Sequence, residues 1–80
     1  MFAPVEAALA SQTPHPELSK REIEVLRFVA HGLSNKLIAY ELGIAEYTIN
    51  NHVKSILKKL GASDRTGAVT QALQRGIIRL

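Results

Sequence analysis

From residue 18 onward the apolar positions recur with a helical period. Ile23, Leu26, Val29 and Ala30 fall on one side, and Val25 and Phe28 widen that stripe. Ser19 and Glu22 form an S-x-x-E capping pattern, so the first helix is expected to start at about Lys20. Gly32 is expected to end it. A second helix is expected after Ser34, running to Leu42 with Ile38 and Leu42 inward, and Gly43 stops it. In the third, Ile49, Val53, Ile56 and Leu60 make one continuous apolar face, with Leu57 alongside and Gly61 as the stop. A polar stripe of Tyr47, Asn50, Asn51, Lys54 and Lys58 runs along the opposite side. A fourth helix is expected from near Ser63 or Asp64 to Arg75, burying Ala68, Val69, Ala72 and Leu73. No stretch alternates apolar and polar residues long enough to suggest a strand. The expectation is an all-α, compact four-helix bundle.

Residues 1–17 have a different character. Pro4, Pro14 and Pro16 all fall there, so this stretch is expected to be a linker or leader, with room for a short helix between Val5 and Ala10. The domain proper is expected over residues 18–80. At 80 residues the chain fits one domain. Its apolar fraction of 46% suffices for a core and argues against disorder.

Composition then excludes several classes of function. Cysteine is absent, which removes disulfides, thiolate metal sites and thiol nucleophiles and fits a cytoplasmic protein. His15, His31 and His52 have no helical i,i+4 partner, so no metal site is expected. No glycine-rich phosphate loop or paired carboxylates suggest a catalytic centre or a cofactor. Aromatics make up only 5%, with no Trp, which argues against a stacking surface for single strands. No apolar run approaches the ~20 residues that span a bilayer. The net charge of +3 lies entirely in residues 41–80, because residues 1–40 balance their charges. A basic half of this kind attracts polyanions.

Residues 35–54 carry the functional pattern, that of a helix-turn-helix. Two helices that cross closely need a small side chain, and Ala39 supplies it. The tight turn needs a residue at positive φ, and Gly43 stands four residues later. Ile49 then returns the second helix to the first, with Ile38, Leu42 and Ile44 completing a small core. A merely solvated helix face usually mixes Glu and Lys for i,i+4 pairs. Here the outward stripe holds two adjacent Asn, then Lys54 and Lys58, with acid only at Glu46. Asn is a poor helix former, so its placement asks for a reason. Asn suits a bidentate contact to adenine, and Lys suits guanine or phosphate.

The sequence at this point resembles the LuxR-type, or GerE-type, family over residues 18–78. The matching stretches are LSKREIEVL (18–26), GLSNKLIA (32–39), Thr48 with Ile49 and His52, KKL (58–60), and Arg65 with Ala68 and Val69. The resemblance implies a four-helix domain whose third helix enters the major groove of double-stranded DNA. It further implies the output module of a two-component response regulator or a quorum-sensing regulator. Dimerisation through the fourth helix is implied too, here at exposed positions Thr70, Gln71 and Gln74. Three residues depart from the family pattern. Asn50 stands where Lys is usual, Ala45 where a capping Ser is usual, and Leu37 where Glu is usual.

On this reading Tyr47, Asn50, Asn51 and Lys54 are the expected base contacts. Asn35, Lys36, Thr48, His52 and Lys58 are the expected phosphate contacts. For Tyr47 packing on the turn, and for Lys58 and Lys59 a solvated helix end, are the competing roles. An ion pair between Glu22 and Arg65, joining the first and fourth helices, is also expected. The expected partners are duplex DNA and a second copy of the chain, with RNA polymerase a further candidate. A receiver or ligand domain before residue 1 is the first expectation, and a stand-alone small regulator the second. Two rivals stay open: a sigma-factor-like promoter-binding domain, and a protein-interaction or dimerisation module.

Overall fold

The computed structural model describes residues 18–79. The expectations for residues 1–17 and for Leu80 lie outside the described residues. Four helices follow one another: α1 (Lys20–Ala30), α2 (Asn35–Leu42), α3 (Glu46–Leu60) and α4 (Arg65–Gln74). Among the described residues all regular structure is helical.

Local chemistry sets most of the boundaries. At α1 the Ser19 hydroxyl accepts from the Glu22 N–H at 3.0 Å, and Glu22 Oε1 accepts from the Ser19 N–H at 2.9 Å. This is the reciprocal box expected from the spacing. The Ser34 hydroxyl caps α2 through the Leu37 N–H at 3.2 Å, and Asp64 caps α4 through the Gly67 N–H at 2.7 Å. Ala45 precedes α3 without any side-chain cap. Between α2 and α3 the chain turns at Gly43, with φ of 67°. A Cβ there would meet nothing within 4 Å, so the demand for glycine comes from the left-handed backbone and not from crowding.

The core gathers one face from each helix. Val25, Ile38, Ile49 and Ala72 are fully buried, joined by Leu26, Ile56, Leu60 and Ala68. Ala39, in the helix-turn-helix, is buried at the crossing as its size requires. α1 and α3 each pack against the other three helices, whereas α2 and α4 do not pack on one another among the described residues.

The packing around α4 and the partner of Glu22 differ from the sequence reading. Leu73 was expected inside, but it is exposed. Its place is taken by the chain after α4, which folds back so that the Ile77 N–H donates to the Ala72 carbonyl at 2.8 Å. Ile78 is then buried at 3% exposure. The expected Glu22–Arg65 ion pair is replaced by two separate networks. Glu22 meets Ser55 and Lys59, and Arg65 meets Leu33 and Asn35. The reason is placement along α1: the end that carries Glu22 lies beside the last turns of α3.

Candidate nucleic-acid interface

α3 is the element that presents the site, and its two sides differ sharply. Ile49, Ile56 and Leu60 are buried on one side. Asn50, Asn51, Lys54 and Lys58 are exposed on the other, and Tyr47 is 74% exposed in the first turn. Packing on the turn, the alternative role for Tyr47, is not what an exposure of that size describes. Thr48 and His52 are half-buried at the flank. Lys36 is exposed in the first turn of α2. Leu37 and Tyr40, on the same helix, are exposed apolar side chains.

α3 is held by a polar network near each end as well as by its apolar face. Near the C-terminal end, Glu22 is buried at 5% exposure. The Ser55 hydroxyl donates to Glu22 Oε2 at 2.7 Å, and Lys59 Nζ donates to Oε1 at 2.9 Å and Oε2 at 3.2 Å. Burial alone raises the Glu22 carboxyl. The Ser19 N–H, the Ser55 hydroxyl and the Lys59 ammonium outweigh it and hold the group below its ordinary value. Lys59, although exposed like Lys58, is therefore a structural cation.

Near the N-terminal end, Asn35 Nδ2 donates to Asn50 Oδ1 at 2.6 Å. The Arg65 guanidinium donates to Asn35 Oδ1 and to the Leu33 carbonyl, the latter at 2.7 Å. Asn35, expected as a phosphate contact, is half-buried and has both ends of its amide engaged within the chain. This Asn35–Asn50–Arg65 arrangement is the part of the site that the sequence reading missed. Its residues are ordinary polar positions, and nothing in their spacing links three separate helices.

The remaining expected positions lie on α4. Thr70 and Gln74 are exposed with Leu73, whereas Gln71, expected to be exposed, is half-buried. The spacing of Thr70, Leu73 and Gln74 puts them on one face. Among the described residues no group of three His, Asp or Glu side chains is placed to hold a metal ion. No helix of these residues is long and apolar enough to cross a membrane.

A small four-helix domain with a solvent-facing third helix, a glycine turn at residue 43 and a basic second half is a helix-turn-helix module. Residues 16–72 match the family described as bacterial regulatory proteins, luxR family. The chain belongs to that family. It is 42% identical over 72 residues to the transcriptional regulatory protein YdfI of Bacillus subtilis, covering 90% of this chain and 34% of that protein. It is 41% identical over 66 residues to the nitrate/nitrite response regulator protein NarP of Escherichia coli, covering 82% of this chain and 31% of that protein. Among solved structures, the response regulator ChrA of a heme-sensing two-component system matches with a TM-score of 0.76 and 41% identity. That match covers 95% of this chain and 39% of the ChrA chain. The chain thus spans about a third of the length of these relatives.

Proposed function

We propose that this chain is the DNA-binding output domain of a bacterial two-component response regulator, with α3 lying in the major groove. The observation that carries the proposal is the outer face of α3. Tyr47, Asn50, Asn51 and Lys54 are exposed on a helix whose opposite face is locked into the core, and of these Asn50 also accepts a bond from Asn35. A rigid helix with exposed hydrogen-bonding side chains is what a wide groove lined with base edges accepts. The family and the relatives, which include response regulators by name, support the same reading.

The binding has two components. Lys36, Lys58, Thr48 and His52 contact phosphates, which position the domain and carry no sequence information. Asn50, Asn51 and Lys54, with Tyr47, face the bases. A second copy of the chain docks through the α4 face of Thr70, Leu73 and Gln74, so two α3 helices reach half-sites about one helical turn apart. The role is recognition and not catalysis, and RNA polymerase is the downstream partner of the bound regulator.

Selection from random duplex pools, followed by titration at several salt concentrations, tests this reading. One recovered sequence family is expected. With Lys36 and Lys58 each neutralising one phosphate, the log–log salt slope is expected near −1.8 per subunit. Lys36→Ala should weaken all duplexes alike and flatten the slope by about 0.9. Pools that return no enriched sequence, even in dilute buffer, would remove the proposal.

A further inference from the structure

We infer that Asn35 and Arg65 determine which base edge Asn50 reads, by holding its amide with the nitrogen outward as a donor. The inference rests on the reading of α3 as the DNA-facing helix. It makes Asn35 and Arg65 positioning residues for specificity.

The Arg65 guanidinium has donors and no acceptor. It donates to the Leu33 carbonyl and to Asn35 Oδ1, spanning the space between α4 and α2, which do not otherwise pack together among the described residues. Asn35 must therefore turn its oxygen toward Arg65. Its NH2 group then faces the other way, toward Asn50. An NH2 group is met by an acceptor, so Asn50 gives its oxygen to Asn35 and keeps Nδ2 outward. Oxygen and nitrogen of an asparagine amide are ordinarily interchangeable by a flip. Here each orientation is forced by the one before it, and the series begins at a group that cannot be reversed. Asn50 is exposed, so its remaining donor is open to a ligand.

This polarity changes the expected base. An unconstrained asparagine reads adenine by using both amide atoms, accepting from N6 and donating to N7. Asn50 has its oxygen turned back to Asn35 and offers its NH2 group outward. In the major groove guanine presents two acceptors, N7 and O6, and cytosine presents an amine donor. Asn50 is thus set to favour guanine, with its two acceptors, and after it thymine, with its O4 acceptor, over adenine and cytosine, which present an amine donor.

The substitution Asn35→Asp reverses the polarity while keeping the shape. It leaves an oxygen for Arg65 and places a carboxylate in the first turn of α2, where the helix dipole favours negative charge. It also puts an acceptor where Asn35 offers a donor, so the Asn50 amide must flip and expose its oxygen. In the free protein, the Asn50 side-chain NH2 resonances should move to lower field in the variant. In duplex selection, one position should change from guanine to a donor-bearing base, cytosine or adenine, by about fivefold. Asn50→Ala should erase the preference at that same position with or without Asn35→Asp. Asn50 resonances that do not move in Asn35→Asp overturn the proposed orientation. Resonances that move while the base preference stays the same overturn its role in reading. A wild-type domain that enriches no duplex overturns the DNA-binding reading itself and the base preference with it, and the resonances of the free protein still decide the orientation separately.

Discussion

The two polar networks that hold α3 are built from similar parts and end differently. The one around Glu22 is closed. A buried carboxylate accepts from the Ser19 N–H, from Ser55 and from Lys59, and its acceptor capacity is spent inside the domain. The one around Asn35 is open. It runs from the Leu33 carbonyl through Arg65 and Asn35 to Asn50 and leaves a donor on the surface. A closed network can only stabilise the position of the helix. An open one also transmits orientation to the surface, so its members affect what the helix meets. Stability and recognition thus rest on different networks, and substitutions at either network or at the exposed face can break that separation.

The largest effect is expected at the closed network. Glu22→Gln keeps the N-cap acceptor for the Ser19 N–H, but it removes the charge that Lys59 and Ser55 address. A loss of about 2 kcal/mol in unfolding free energy is expected at neutral pH, the scale of a hydrogen-bonded charge removed from a buried site. The pH dependence identifies the cause. The folded carboxyl titrates below its ordinary value of 4.5. Its contribution is therefore complete above that value and disappears as pH falls through the lower folded value. Denaturant titrations from pH 7 to pH 3 should show the wild-type and variant stabilities converging on the acid side. Base preference should stay that of the wild type; a change there would show that the closed network also influences reading.

A smaller effect, and of the opposite kind, is expected at Asn51, which is exposed beside Asn50. Asn51→Ala should leave the unfolding free energy unchanged or slightly raised, because alanine is the better helix former. Binding should weaken by about 1–2 kcal/mol at one base position and specificity should relax there. Competition between duplexes that differ at single positions measures this directly. Uniform weakening across all duplexes would assign Asn51 to the backbone and not to the bases.

The same division explains what the sequence disclosed. The helix boundaries were legible because their causes are local: Ser19 with Glu22, Ser34, Gly43 and Gly61 each act within a few residues. The outward stripe of α3 was legible because periodicity alone divides a helix into faces. The partner of Glu22 was not. Lys59 and Arg65 are both cations downstream of it, and choosing between them requires knowing which end of α1 lies against α3. By sequence Leu73 reads as a core residue because it follows the periodic face of Ala68, Val69 and Ala72. That periodicity carries no information on Ile77 and Ile78, which cover the inner side of α4 instead. Asn35 and Asn50 each suggested DNA contacts singly. Their mutual bond depends on how α2 crosses α3, a quantity that no spacing within one helix contains.

The smallest expected effect lies outside both networks, at the start of α3. Ala45 occupies the N-cap with extended backbone, φ of −70° and ψ of 145°, and offers no side-chain acceptor. That geometry is the one a capping hydroxyl uses. Ala45 is exposed, so a serine there displaces no core atom. Ala45→Ser should therefore stabilise the domain by about 0.5–1 kcal/mol, read as a higher denaturant midpoint with an unchanged slope. Base preference should be unaffected, because neither Asn50 nor Asn51 gains or loses a partner. If the midpoint rose and the preference also changed, the first turn of α3 would be adjusting its pose on the duplex. Orientation would then be set by the helix start as well as by the amide network behind it.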